Sequence, residues 1–171
     1  YSNECHFRMD DILEMVNGKR GSRGTALKLD PDYQRDHVWT KKQATTFVGF
    51  LLEGGQAPLI YMQRYDSNKN VPAGADYCDM PIEVLDGQQR VRAIVAWMRN
   101  EIPAVLTDGT KIWFKDTDEV DRRGLPMMRI AFIDLNRKEQ LRFYLALNRG
   151  GTVHTNKEIE RVRTLLDAES N

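Results

Sequence analysis

Cysteine and histidine are scarce, at two and three in 171 residues. Two thiols, Cys5 and Cys78, are too few for a disulfide framework and read as free thiols of a reducing compartment. His6, His37 and His154 are scattered, and no Cys/His pair has the spacing of zinc ligands, so no metal site is expected from them. Long apolar runs are missing as well: stretches such as residues 130–133 fall far short of the roughly 20 residues that span a bilayer. No signal-peptide pattern opens the sequence, which starts at Tyr1 rather than Met, and a soluble, cytoplasmic protein is expected. There is no excess of charge, with 25 Lys plus Arg against 25 Asp plus Glu. The whole-chain field therefore cannot gather nucleic acid or an anionic membrane, and any polyanion site must be local.

What is present suits a folded globular chain: 41% hydrophobic and 29% charged residues, with no low-complexity tract or internal repeat. The length suits one domain, taken as residues 1–171. Asp10 or Asp11 is placed to cap a short helix whose Ile12, Leu13 and Val16 share a face, with Gly18 as its end. "GKRGSRG", residues 18–24, has the glycine and charge of a solvated loop. It lacks the Lys-Ser/Thr that a P-loop needs after its last glycine. Ala44, Phe47, Val48 and Leu51 then follow the i, i+3, i+4, i+7 rule behind Thr40, which predicts an amphipathic helix stopped at Gly54-Gly55.

"LIYMQRY", residues 59–65, and residues 82–85 read as strands on either side of an exposed loop. Val91, Ile94, Val95 and Met98 form a helical stripe that ends near Asn100 and Pro103. Residues 104–135 are β-rich, with "KIWF" and "MRIAFIDL" as strands around an acidic loop or short helix. Residues 137–147 and 155–167 are helical again. Strands and helices mix without regular βαβ alternation, so a compact α+β domain is expected, a small mixed sheet packed with several helices.

The densest hydrogen-bonding capacity lies in "VLDGQQRVRAIVAW", residues 84–97. A strand ending in Asp86-Gly87 delivers the following amides to a helix N-terminus, where unsatisfied N–H groups and the macrodipole make an anion site. Gly87 permits the tight turn, Arg90 offers a planar fork of donors, and Gln88 and Gln89 add amide contacts. The plain alternative is that Asp86 caps the helix and Arg90 pairs with an acid. Two further stretches also set an amide beside an arginine. "DPDYQRDHVW" carries Gln34 and Arg35 between Tyr33 and Trp39, and "LNRGGTVHTNKE" carries Asn148, Arg149 and Gly150 between two helices. His37 reads as a packing residue beside Trp39 or as a ligand contact.

The order "PDYQR…W", "LLEGG", "IEVLDGQQRVRAI" and "LNRGG" resembles the DGQQR-motif domains at the N-termini of GmrSD-type modification-dependent restriction enzymes and of the phosphorothioate-DNA defence protein SspE. These are similar to the wider ParB and sulfiredoxin superfamily. The resemblance runs from about residue 9 to about residue 166, and it implies a ParB/sulfiredoxin-like fold and nucleotide chemistry. The DGQQR segment would bind and hydrolyse a nucleoside triphosphate, with GTP or CTP favoured and Mg²⁺ as the accompanying ion. Residue by residue it implies nucleotide-binding roles for Gly87, Gln88, Gln89 and Arg90, and for Gln34, Arg35, Asn148 and Gly150. Asp86 would orient water or the magnesium ion, and Arg90 would stabilise charge on the transferred phosphoryl group.

The polar pair Asp36-His37 departs from the pattern. The larger relatives carry a separate C-terminal nuclease domain, for which these 171 residues leave no room, so a nuclease domain or partner protein is an expected associate. A DNA-binding or DNA-nicking domain is the competing expectation, with Lys19, Arg20, Arg23 and Lys28 as one patch and Arg137, Lys138 and Arg142 as another. A non-catalytic interaction module is the third.

Overall fold

The computed structural model describes residues 3–19, 27–33, 39–65, 81–147 and 156–169. Six strands and six helices occur among them: β1 (Asn3–Phe7), α1 (Met9–Val16), α2 (Lys41–Leu52), β2 (Ile60–Gln63), β3 (Glu83–Asp86), α3 (Gln88–Met98), β4 (Ala104–Val105), β5 (Lys111–Ile112), α4 (Glu119–Arg123), β6 (Met128–Ile133), α5 (Arg137–Leu147) and α6 (Asn156–Ala168). The result is an α+β architecture. Four strands form a mixed sheet in the order β1-β6-β2-β3. β6 runs antiparallel to β1 and parallel to β2, which in turn is antiparallel to β3. Beyond β3, Lys28 makes a single parallel bridge to Glu83, with its N–H donating to Ile82 O and its carbonyl accepting from Val84 N. β4 and β5 form a separate hairpin.

Strand alternation divides the sheet's side chains between two cores. Ile60, Met62, Val84, Met128 and Ile130 pack with Met9, Ile12 and Met15 of α1, Val48 and Leu51 of α2, and Val91, Ile94 and Trp97 of α3. The intervening residues Tyr61, Leu85 and Ile133 belong to a smaller cluster with Tyr33, Leu141 and Tyr144 of α5, and Val162 of α6. The predicted stripe of Val91, Ile94, Val95 and Met98 is wholly buried.

Local signals account for most boundaries. Thr40 accepts from Gln43 N at 3.2 Å and its own N–H donates to Gln43 Oε1 at 2.8 Å, closing a reciprocal cap on α2. Gly54, at φ 87°, ends that helix as its spacing predicts. α1 differs from expectation. Its N-cap is Arg8, whose N–H donates to Asp11 Oδ2 at 2.9 Å, so Asp10 and Asp11 sit in the first turn rather than at the cap. A carboxylate there still favours the positive helix end.

β1, whose mixed polarity gave no periodic signal, pairs along its whole length with β6. "KIWF" divides, with Lys111 and Ile112 in β5 and Phe114 opening a 3-10 turn. The loop of residues 20–26, most of the connection between β2 and β3, and residues 34–38 and 148–155 lie outside the described residues. No helix among the described residues is long and apolar enough to cross a membrane.

Candidate functional site

β3 ends at Asp86, and Gly87 turns the chain into α3 with φ 96°. A Cβ at this position would lie 2.9 Å from Ile60 Cγ1 and 3.3 Å from Arg90 Cζ, so both the dihedral and the space require glycine. Gly87 is also the N-cap, and with no side chain it leaves the first turn without a side-chain cap. The helix therefore presents the positive end of its dipole at the close of a strand.

Arg90 is turned onto the protein. Its Nη2 donates to Asp86 Oδ2 one turn back, and its Nη1 donates to Pro58 O at 2.7 Å and Leu59 O at 3.2 Å. The planar fork thus clamps the approach to β2 against the end of β3. Asp86 does not cap α3; it pairs with Arg90 through Oδ2. The expected pairing of Arg90 with an acid is present, and the expected cap is not.

The two glutamines face different segments. Gln88 is buried and donates through Nε2 to Leu29 O and, at 2.7 Å, to Asp30 Oδ1, while its Oε1 accepts from Gln89 Nε2 at 3.5 Å. Gln89 Oε1 accepts from Trp39 N at 3.3 Å. Arg92, one turn further along, pairs with Asp30. The first turns of α3 therefore grip Leu29-Asp30 and Trp39, on either side of the stretch that carries Gln34 and Arg35. Gln34, Arg35 and His37 themselves lie outside the described residues, as do Asn148, Arg149 and Gly150. The helix that leads to the last group, α5, packs on β3 through Leu141 and Tyr144 against Leu85.

Two features escaped the sequence reading. One is a buried polar group on the α5 side of the sheet. Glu83, 4% exposed, receives Lys28 Nζ on Oε1 at 2.9 Å, while its Oε2 meets no strict hydrogen-bond geometry among the described residues; Tyr33 Oη and Gln140 Oε1 are likewise buried and unmatched among them. Gln140 Nε2 donates to Tyr65 Oη at 3.3 Å. Burial pushes the Tyr33 phenol far above its ordinary value of 10.0, and the Glu83 charge adds to the shift. The same two causes raise Tyr65. Alternation alone cannot distinguish a buried glutamate from an exposed one, which is why this group is silent in the sequence.

The other feature is a groove of about 680 Å³ beside α3, lined by Trp39 and Lys41 at the start of α2, by Arg92, Ala96 and Arg99 of α3, and by Ile102. Its α3 positions Arg92, Val95, Ala96 and Arg99 follow the 3.6-residue repeat on a face that adjoins the buried stripe and shares Val95 with it, a signal legible only once the packed face is known.

The two expected DNA patches are partly consumed within the fold. Lys28 is paired with Glu83, and Arg137 with Asp32, with the Arg137 guanidinium 4.9 Å from the Tyr33 ring centre.

Comparison with known proteins gives one family. No curated protein and no solved structure matches the chain. The family described as "GmrSD restriction endonuclease, N-terminal domain" matches residues 12–164, which include the whole strand-to-helix corner and all of α2 and α3. Most of the described fold falls within that span, and the chain belongs to the family of GmrSD restriction endonuclease N-terminal domains.

Proposed function

We propose that this domain binds a nucleoside triphosphate at the Asp86-Gly87 corner and hydrolyses it, as part of a restriction or anti-phage defence system. The observation that carries the reading is the uncapped N-terminus of α3 behind Gly87, a position where a Cβ would strike Ile60. Backbone amides at such an end bind phosphate through direct donation and through the helix dipole. The hold of Gln88 and Gln89 on Leu29, Asp30 and Trp39 supports a second contribution from Gln34 and Arg35, and Asn148 and Gly150 are the remaining proposed contributors.

Mg²⁺ suits this donor set. It is commonly held by one or two carboxylates together with phosphate oxygens, and Asp86 offers one oxygen not engaged by Arg90. The ion would be held by Asp86 and would neutralise phosphate charge. Arg90 shapes the corner by fixing Asp86 and the carbonyls of Pro58 and Leu59, and it supplies positive charge beside the phosphates. A nuclease domain or partner protein is the proposed recipient of the signal.

The test is calorimetric titration with GTP, CTP, ATP and UTP in the presence of Mg²⁺, for the parent and for Asp86→Asn and Arg90→Ala variants shown to be folded. Binding by the parent that weakens at least tenfold in the variants supports the site. Absence of binding by all four nucleotides removes the proposal.

A further inference from the structure

We infer that the groove between α1, α2 and α3 seats the base and sugar of the nucleotide, leaving only its phosphates at the corner. This rests on the nucleotide reading above and adds to it a location and a chemistry for the nucleoside half. Four observations converge.

The first is continuity. Gln89, Arg92, Ala96 and Arg99 follow one another at intervals of three and four residues, so a single face of α3 leads from the corner into the groove. At 1.5 Å per residue, Arg92 lies about 7.5 Å and Arg99 about 18 Å along the axis from Gly87. A ligand anchored at the helix end and laid along this face meets the groove directly.

The second is size and surface. The groove holds about 680 Å³, inside the roughly 300–1,000 Å³ typical of small-molecule sites. It combines an aromatic wall, Trp39, with a small-residue floor at Ala93 and Ala96. An aromatic wall and a flat apolar floor suit a planar base, which stacks on a ring regardless of its edge.

The third is charge. Lys41, Arg92 and Arg99 line the groove, against Glu101 as its one acid. Lys41 stands in the first turn of α2, which contains no acidic residue and already carries the positive end of the helix dipole. Among the described residues Lys41 has no ion-pair partner, and Arg99 donates to the neutral amide Asn17 Oδ1 at 2.8 Å. Two cations without a carboxylate beside a positive helix end are electrostatically unfavourable in the free domain and complementary to an anionic ligand.

The fourth is an unmatched donor. Arg92 pairs with Asp30 through Nη2, while its Nε is buried without a partner among the described residues. The base or sugar of a nucleotide supplies acceptors at that level.

The experiment compares GTP, CTP, ATP and UTP with inorganic tripolyphosphate, which has the phosphates and no nucleoside. Each is titrated calorimetrically into the parent and into Ala96→Phe, which fills the groove floor from a partly exposed position. The expected result is that the best nucleotide binds the parent at least tenfold tighter than tripolyphosphate. Ala96→Phe should then lose at least tenfold for that nucleotide and stay within twofold for tripolyphosphate. If Ala96→Phe does not fold, Arg99→Ala, whose partner is an exposed amide, replaces it with the same expectation.

Equal binding of nucleotide and tripolyphosphate by the parent overturns the inference and leaves the phosphate site standing. So does a nucleotide affinity untouched by the groove variant. Failure of the parent to bind either compound overturns the nucleotide reading and this inference with it.

Discussion

The side-chain carbonyl of Gln89 accepts the backbone N–H of Trp39 at 3.3 Å, so the first turn of α3 fixes the chain just ahead of α2. The bond aligns one wall of the groove with the corner. Gln89→Ala leaves that N–H without its acceptor and is expected to lower stability by about 1 kcal/mol in urea denaturation. Gln89→Glu retains an acceptor oxygen and should lose less than half as much.

Arg90 satisfies two backbone carbonyls and a carboxylate at once. Arg90→Ala strands all three and is expected to cost about 2–3 kcal/mol. Arg90→Lys, with a point charge in place of a fork, should recover less than half of that. Asp86 is 40% exposed, so Asp86→Asn alone should cost less than about 1 kcal/mol. Chemical denaturation of the three variants orders the contributions. A loss in Asp86→Asn equal to that in Arg90→Ala would show that the clamp on Pro58 and Leu59 contributes nothing.

Gly87 and Gly109 share a left-handed backbone, at φ 96° and 87°, but differ in surroundings. A Cβ at Gly109 meets nothing within 4 Å, whereas at Gly87 it meets Ile60 and Arg90. Gly109→Ala is therefore expected to cost only the dihedral strain, about 1–2 kcal/mol. Gly87→Ala should add a packing cost of about 1–3 kcal/mol. Thermal unfolding of the pair isolates the steric part, and equal losses would show that Ile60 and Arg90 yield freely.

Tyr33 titrates above its ordinary value of 10.0 because burial disfavours the phenolate. The folded state therefore holds a proton that the unfolded chain releases near that pH. The resulting stability is fully present below it and declines as pH rises beyond it. Tyr33 Oη has no hydrogen-bond partner among the described residues, so Tyr33→Phe should be neutral or slightly stabilising at pH 7. The variant should also shift the alkaline unfolding midpoint upward. Unfolding followed by circular dichroism between neutral pH and the alkaline limit checks both, and an unchanged alkaline midpoint would argue against the buried phenol as its cause.

Much of this architecture is legible in the residues. Thr40, Gln43 and the spacing of Ala44, Val48 and Leu51 declare α2, and Gly54 declares its end. Asp86-Gly87 before a helical stripe declares the corner. The partners of the corner are hidden, because nothing near Arg90 in sequence points to Pro58 and Leu59, 32 and 31 positions away. β1 is hidden for a related reason. "NECHF" has no clean alternation, and its strand state is imposed by pairing with β6, more than a hundred residues later. The groove depends on how three helices meet, a relation that none of them encodes alone.

Gly49 gives that meeting a mechanical character. A Cβ there would fall 1.9 Å from the carbonyl oxygen of Val105, so the backbone of α2 lies directly on β4, the strand that follows α3. The far end of the helix pair is thus a backbone-on-backbone contact with no side chain between to compress. The near end is tied by the Trp39 N–H donating to Gln89 Oε1, so the spacing of α2 and α3 is set by main chain at one end and by a side-chain amide at the other.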